Sequence, residues 1–513
     1  RLWTAAAMGS HNKSIRQALE EAKRFRKNAL SQVDANSKDH EQDRQTDAAY
    51  PVSSFCESVQ RTLCTLFCLF QLGCPRISGE SGTNQKHQTD PDHHKHAPKG
   101  FADSFPGLQR MPDTQLTMLT LENPSTQALR KLLPEFEHRS GIRVKLIGVP
   151  YDDLLAQLNL IGPHFTYDMI RIDVAQFGDI GQSIYRPLDE LSISPEGLSP
   201  RLIKNGYDSY SMLNGRVYAL PLDPSVQIFL YRTDLFHDAK LCRAYYERFH
   251  ENLVVPTTYE QYLHAAEFFT RSCNPDSPTE YGTTMTCGSA SVAASDFLPF
   301  YLSRIDRFGS TPETLRLDCP EMQAAMRQYH ALEKFSCKQN WWGDSIQKFA
   351  EGKTAMTVIY SNYAAELINS GNSVVVGRVG AAILPGCKPL LGGGIVGISR
   401  YSQKAEACKQ FFHWYYSADV ASLLVRLGGT SPIVDAYEDF QNYSIFPWMN
   451  TSKKSFGLGQ RGVINQTPER FSIPKYEFAV GTAVRSVVQD LMTPEDASRM
   501  AQALYDAADP VCR

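Results

Sequence analysis

The sequence predicts an α/β protein with more than one sheet, and three observations lead to this prediction. From residue 115 onward, short apolar segments alternate with helix-forming segments, which is typical of parallel sheets with right-handed crossovers. The 513 residues exceed what a single hydrophobic core usually supports, so we expect two or three domains. Two prolines, Pro221 and Pro224, interrupt neighbouring apolar runs, which indicates a chain that leaves one sheet and enters another.

The elements before these prolines have recognisable start and stop signals. Asn123-Pro124-Ser125-Thr126 supplies cap chemistry for a helix over 127–140, and Gly141 ends that helix. The other elements predicted in this part are strands over 116–121, 142–149 and 168–172 and a helix through 154–160.

The prolines themselves lie between two short predicted strands, 217–220 and 226–231. Because proline lacks a backbone donor, a central strand is not expected to run through them, and a polar elbow beside a cleft would suit a hinge. A strand–turn–strand inside one domain is the alternative, and composition does not separate the two. The elements predicted beyond the elbow are helices over 258–270, 322–334, 345–350, 403–417, 418–427, 478–492 and 494–507 and strands over 354–360, 377–384 and 392–398.

Charge and cysteine content narrow the class of protein. The formal net charge is −3, so no overall field recruits nucleic acid or an anionic membrane, and no apolar run is long enough to span a bilayer. The 12 cysteines form no C-x-x-C pair, so we expect no zinc site, no other metal and no cofactor. Free, mostly buried thiols in a reducing cytoplasm are the simpler expectation, and disulfides in a secreted protein are the alternative.

Six short motifs occur in an order that resembles the sugar-type extracellular solute-binding proteins of ABC importers. Each motif is weak alone, but their order over about 400 residues is specific, and the resemblance covers roughly 114–513. The motifs are Pro134-Glu135-Phe136-Glu137 with Gly141-Ile142; Tyr167-Asp168-Met169-Ile170; Arg186-Pro187-Leu188-Asp189; Tyr218-Ala219-Leu220-Pro221 with the segment 230–236; Pro256-Thr257-Thr258-Tyr259; and the segment 349–356.

This resemblance implies a two-lobed periplasmic-binding-protein fold of type II with a hinge, preceded by a poorly structured or small helical N-terminal region. The first lobe would contain 114–222 and about 372–428, and the second 223–371 and about 429–513. The elbow would be one hinge crossing. The implied function is non-enzymatic binding of a mono- or oligosaccharide between the lobes.

Candidate ligand-binding residues follow from the chemistry of sugars. Ligands of open α/β sheets lie beyond the carboxyl ends of the strands, and a sugar cleft combines carboxylates and amides with flat aromatic rings. Core packing is the alternative for the tryptophans, and a local cap or salt bridge is the alternative for Asp173. The candidates are Asn123, Ser125, Asp173, Asp223, Gln227, Trp341, Trp342, Tyr360, Asn362, Gly393 and Thr430.

Two other kinds of site receive little support. The glycines of 392–397 match G-x-G-x-x-G, but a strand continues after them and no acidic residue follows at the spacing of a dinucleotide site. We therefore expect Gly393 to serve a close backbone approach. The protease, esterase and P-loop motifs are missing. A glycosidase needs only two carboxylates, so a carbohydrate-active enzyme stays a less favoured hypothesis.

The N-terminal part divides into a possible helical region, 1–50, and a linker, 51–113, that carries a short apolar, cysteine-rich segment. The stretch 9–19 resembles the recognition helix of GntR-type regulators, which makes Lys13, Ser14 and Arg16 candidate DNA contacts. The rest of that motif is missing, so a charged, solvated helix is the alternative. Four histidines between 87 and 96 are interpreted as part of a flexible polar tract.

Two hypotheses for function follow. The first is the cytoplasmic sugar-sensing domain of a transcriptional regulator, with DNA as a partner. The alternative is the receptor of a sugar ABC importer, held outside the cell as a lipoprotein through Cys74 and docking onto the importer permease. The missing signal core, the cysteines expected to be free and the motif around Arg16 favour the first hypothesis slightly.

Overall fold

The structure is a computed structural model that describes residues 108–193, 197–305, 316–369, 371–461 and 472–507. All of them belong to one compact unit of the chain, Asp92–Arg513. The predictions for 1–50 and for most of the linker, including those for Lys13, Ser14, Arg16 and Cys74, lie outside the described residues.

The described strands are β1 Thr114–Leu121, β2 Ile142–Val149, β3 Met169–Asp173, β4 Met212–Leu213, β5 Arg216–Val217, β6 Leu220–Arg232, β7 Thr283–Thr286, β8 Ser336–Gln339, β9 Met356–Tyr360, β10 Val379–Ala382 and β11 Leu391–Ile398. The described α-helices of the first half are α1 Pro124–Ser140, α2 Tyr151–Leu158, α3 Phe177–Ile184, α4 Gly206–Tyr210, α5 Thr233–Phe236, α6 Ala239–Phe249 and α7 Tyr259–Phe268. Those of the second half are α8 Ala290–Leu302, α9 Pro320–Glu333, α10 Trp342–Ala350, α11 Glu366–Asn369, α12 Ala405–Tyr415, α13 Ala418–Arg426, α14 Asp435–Glu438, α15 Phe440–Ile445, α16 Met449–Leu458, α17 Ile473–Val488 and α18 Pro494–Ala507.

Seven of these strands form one sheet in the order β10-β6-β11-β3-β1-β2, with β9 paired to β6 beside this path. Strand β1 runs parallel to β2 and β3, whereas β11 is antiparallel to both β3 and β6. The carboxyl ends of β1, β2 and β3 therefore meet at one edge of the sheet, where ligands of open α/β sheets bind. A second, small sheet pairs β7 with β8 in parallel.

Helix α1 shows why the local predictions succeed. The Asn123 side chain accepts a hydrogen bond from the Thr126 backbone N at 2.8 Å, and Pro124 occupies the first helical position, where no amide donor is needed. Gly141 ends the helix in the left-handed conformation, with φ of 73°. The predicted helix is confirmed, starting three residues earlier than expected.

Strand β6 overturns the predicted interruption, because it continues through Pro221 and Pro224 as one strand, with a shift of its register against β11 between Gly394 and Ile395. Its first half, 220–226, pairs with β11 and with no other described strand. The missing proline N–H groups therefore cost no hydrogen bond to a second neighbouring strand. The hydroxyls of Tyr415 and Tyr416 donate to the carbonyls of Leu222 and Pro221, at 2.5 and 2.9 Å. The C-terminal end of α12 and the residue after it thus satisfy two carbonyls of β6 in the part that pairs with β11 alone.

The second half of β6 joins different partners. Residues 227–231 pair with β9, and 229–232 pair with β10. The change of partners falls between Val226 and Gln227, where the predicted elbow ends and the second predicted strand begins. The residue boundaries of the two lobes stay a prediction. Strand β10 was assigned to the first lobe, but it pairs with residues 229–232 of β6, which were assigned to the second lobe.

Helix α8 escaped prediction because its sequence lacks amphipathic periodicity. Its residues from Val292 to Leu302 are all buried, and Pro299 lies inside it. It packs closely on α17, where a Cβ added to Gly481 would lie 1.7 Å from the Ala290 carbonyl oxygen. Helix α6 and strands β7 and β8 were also missed.

The cysteines correct another prediction. All seven described cysteines are free, but only Cys408 is buried, whereas Cys273 and Cys387 are exposed. The expectation of mostly buried thiols is therefore wrong for the described part of the chain. In the described part of the chain, no group of three or more His, Cys, Asp or Glu side chains is placed so that it could hold a metal ion.

Candidate functional site

A cleft with about 460 Å³ of empty space, solvent-open space included, lies at the carboxyl ends of β1, β2 and β3. Residues from α8, from the segment before α10 and from the segment after β9 face these strand ends. The lining residues are Leu121, Tyr151, Arg171, Asp173, Ser291, Val292, Ser295, Trp341, Trp342, Tyr360, Asn362, Tyr363, Gly392, Gly393 and Arg461.

One wall of the cleft is aromatic. The rings of Trp341 and Trp342 meet edge to face at 4.9 Å, and Trp342 meets Tyr360 in the same way at 4.9 Å. The indole N–H of Trp341 donates to the Tyr363 hydroxyl at 2.8 Å. The indole N–H of Trp342 is buried and has no hydrogen-bond partner among the described residues. Burial raises the pKa of Tyr360 to about 12, so its hydroxyl stays protonated.

The floor of the cleft contains a buried ion pair. Arg171 donates to the Asp223 carboxylate from Nε at 3.1 Å and from Nη2 at 3.2 Å, and Asn123 Nδ2 donates to the same carboxylate at 2.6 Å. Burial disfavours the charge of Arg171, but Asp223 and Asp173 hold its pKa above the ordinary value. Nη1 of Arg171 is buried and finds no acceptor in the described residues. It is a donor whose hydrogen-bonding capacity is not used by any described residue.

Asp173 does two things at once. Its Oδ1 accepts a hydrogen bond from the Ala175 backbone N at 2.9 Å and so caps the short turn after β3. Its Oδ2 accepts no hydrogen bond from any described residue. Asp173 is therefore a local cap, as the alternative predicted, and its Oδ2 stays available in the cleft.

A second buried arginine closes another side of the cleft. Arg461 contacts Glu477, with Nε–Oε1 and Nη2–Oε2 distances of 3.1 Å each, and it donates to the Tyr360 hydroxyl at 2.8 Å and to the Leu391 carbonyl at 3.0 Å. Burial by itself lowers the pKa of Arg461, but Glu477 holds it well above its ordinary value. Arg461 thus ties the aromatic wall to α17 and β11.

The structure brings six of the eleven predicted ligand residues to the cleft lining: Asp173, Trp341, Trp342, Tyr360, Asn362 and Gly393. Asn123 and Asp223 are buried beside Arg171, and Gln227 donates to the Ser295 carbonyl at 2.7 Å and accepts from the Leu390 N at 2.9 Å. The ligand roles of all eleven stay predictions.

Ser125 and Thr430 contact each other away from this cleft, with their hydroxyl oxygens 3.2 Å apart. Thr430 lines a separate cavity of about 330 Å³, which also contains Trp448 and Tyr437.

The glycine-rich segment has a structural explanation. Gly393 has φ of +83°, and a Cβ at this position would lie 2.1 Å from the Asp223 carbonyl oxygen. Strand β11 can therefore approach β6 only with glycine here.

Nine of the 15 lining residues are absent from the predicted ligand set, and four of these nine have aromatic or charged side chains: Tyr151, Arg171, Tyr363 and Arg461. Tyr151 follows β2, so the strand-end rule that selected Asn123 after β1 would have found it. Arg171 stands two residues before Asp173 in β3, on the same face of the strand. No local signal marks Arg461, which lies in a segment without a predicted element.

Comparison with known proteins identifies the class. Residues 131–448, more than half of the chain, match the family of bacterial extracellular solute-binding proteins. The chain belongs to this family, and the predicted resemblance is confirmed. None of the described helices has the length and hydropathy of a membrane-spanning helix.

Solved structures confirm the two-lobed fold class. The ABC transporter solute-binding protein of Agrobacterium radiobacter K84 in complex with ribitol is 21% identical, with a TM-score of 0.66 over 77% of this chain and 98% of that protein. The GacH receptor of Streptomyces glaucescens, solved unliganded and with acarbose, is 17% identical, with a TM-score of 0.62 over 78% of this chain and all of that protein. Maltose-bound MalE3 of T. maritima is 19% identical, with a TM-score of 0.60 over 77% and 99%.

Proposed function

We propose that this chain binds a neutral carbohydrate or polyol in the cleft, without catalysing a reaction, as the substrate-binding component of an ABC importer. Membership of the extracellular solute-binding family supports binding rather than turnover. The similar solved proteins include an ABC transporter component bound to ribitol and a binding protein bound to maltose, which supports a polyhydroxylated ligand.

The observation that carries this proposal is the pairing of an aromatic wall with unused polar groups. Trp341 and Trp342 offer apolar surface for a sugar, while Arg171 Nη1 and Trp342 Nε1 are donors and Asp173 Oδ2 is an acceptor. Sugar hydroxyls both donate and accept, so one polyhydroxylated ligand matches both kinds of group. The arginines are each paired with a buried carboxylate, which favours a neutral ligand over an anionic one.

Of the two hypotheses from the sequence, the importer receptor now has the better support. The family match and the similar structures concern extracellular and ABC transporter proteins, and they give no support to a cytoplasmic location, a transcriptional role or a DNA partner. We therefore place the protein outside the cell, anchored to the membrane, with the importer permease as its partner. Cell fractionation of the wild type and of Cys74→Ser tests this: loss of the variant from the membrane fraction supports the anchor.

Binding is tested with the full chain in a thermal-shift screen of monosaccharides, alditols and oligosaccharides, followed by calorimetry. A sugar at 100 times its Kd adds about 2.7 kcal/mol to the free energy of unfolding. We expect Trp341→Ala and Asp173→Asn to weaken binding about tenfold or more. Trp414→Phe is the matched control, because Trp414 is buried against Phe136 and Phe411, outside the cleft lining. The proposal fails if no sugar or polyol binds, or if all three variants bind alike.

A further inference from the structure

We infer that the ring pair of Tyr151 and Trp341 limits the ligand to a single sugar ring or one open-chain alditol and excludes oligosaccharides. This inference rests on the proposed function, since it concerns the size of the ligand in the same cleft. The two rings lie 5.3 Å apart between centroids, at an interplanar angle of 42°.

The pair crosses the cleft. Tyr151 is the first residue of α2 and follows β2 of the large sheet closely. Trp341 follows β8 of the small sheet, directly before α10. Both residues line the cleft, so their ring contact spans it from the side of the large sheet to the side of the small sheet. A chain of sugar rings leaving the floor in this direction would have to separate the two rings.

Trp341 is held in place from behind. Its indole N–H donates to the Tyr363 hydroxyl at 2.8 Å, and Trp342 packs against its other side at 4.9 Å. Tyr151 has no such anchor: its hydroxyl makes no hydrogen bond with any described residue. The position of Tyr151 against Trp341 therefore decides whether the cleft is closed here.

The Tyr151 hydroxyl interacts electrostatically with charged residues of the floor, among them Asp173 and Arg171. Burial and the charge of Asp173 raise the pKa of Tyr151, so the hydroxyl stays protonated and lies within electrostatic reach of the Asp173 carboxylate. The ring of Tyr151 thus sets the size of the cleft, and its hydroxyl is available to the ligand. These two roles are separable, because phenylalanine keeps the ring and removes the hydroxyl.

The test is calorimetry on full-length wild type, Tyr151→Phe and Tyr151→Ala, with glucose, maltose and maltotriose, xylose and xylobiose, and ribitol and mannitol. For the single sugar or alditol that binds best, we expect the wild type to bind it about 100-fold or more tightly than any oligosaccharide of the set. Tyr151→Phe should weaken the binding of every ligand and leave the ratio of affinities between single units and oligosaccharides unchanged. Tyr151→Ala reduces the ratio at least about tenfold, because the ring contact is lost.

Thermal unfolding without sugar serves as the check that both variants fold. The inference is overturned if wild type binds maltotriose or xylobiose as tightly as the single sugar, or if the folded Tyr151→Ala variant keeps the wild-type ratio. Absence of any binding by wild type refutes the proposed function itself, and the size limit falls with it.

Discussion

Removal of the Asp223 carboxylate is the most demanding test of the buried network beneath the cleft. Arg171 is 1% exposed and Asp223 is 3% exposed, and the carboxylate accepts three hydrogen bonds, two from Arg171 and one from Asn123. In the Asp223→Ala variant the guanidinium stays buried without its hydrogen-bonded counter-charge, and only the more distant charge of Asp173 remains. Breaking a buried pair in this way costs about 3–5 kcal/mol of the free energy of unfolding.

The assay is urea unfolding followed by tryptophan fluorescence and circular dichroism. Asp189→Ala is the matched control, because Asp189 also accepts a bidentate hydrogen-bonded pair, from Arg216, but on the surface. Water replaces the partner there, so this variant should unfold close to the wild type. If Asp223→Ala is destabilised by less than about 1 kcal/mol, the charge of Arg171 is not confined as the structure indicates.

Three further predictions concern positions outside this network. Gly393→Ala should destabilise the protein by about 3 kcal/mol or more, because the added Cβ would meet the Asp223 carbonyl, whereas the Gly215→Ala control, also at positive φ but with open space around it, should cost only about 1 kcal/mol. Equal losses of stability for the two variants in urea unfolding would contradict the close approach of β11 to β6. Tyr415→Phe removes the donor to the Leu222 carbonyl and should cost about 1 kcal/mol, while Tyr443→Phe on the surface should change little in the same assay. Burial raises the pKa of Asp296 from 3.8 to about 7, so the stabilisation linked to its proton is present below pH 4 and is lost as the pH rises through about 7. Relative to Asp296→Asn, the wild type should lose about 4 kcal/mol of its free energy of unfolding between pH 4 and pH 8, and a difference between the two proteins that does not change with pH would disprove the shift.

Much of the first half of the fold could be predicted because its signals are local. Asn123 caps α1 and Gly141 ends it through contacts within four residues, and strand β2 has the predicted bounds. The aromatic and acidic lining residues Trp341 and Asp173 could also be proposed from the sequence, since residue chemistry and strand ends suffice to suggest them.

The partners of these residues could not be predicted in the same way. Tyr151 meets Trp341 across 190 residues of sequence, and Arg171 meets Asp223 across 52. Contacts at such separations leave no periodicity in either segment, so composition at one end says nothing about the other. The same holds for Arg461, which has no helix or strand pattern around it.

The sequence by itself determined that this is an α/β solute-binding protein, because strand alternation, caps and ordered motifs are written into short segments. Only the tertiary structure decided that the chain passes Pro221 and Pro224 as one continuous strand. The prolines cannot donate a backbone hydrogen bond, but the hydroxyls of Tyr415 and Tyr416, at the end of α12, donate to the carbonyls of Leu222 and Pro221, 193 and 195 residues back along the chain. A local rule describes which hydrogen bonds a residue lacks, and the folded chain determines what replaces them.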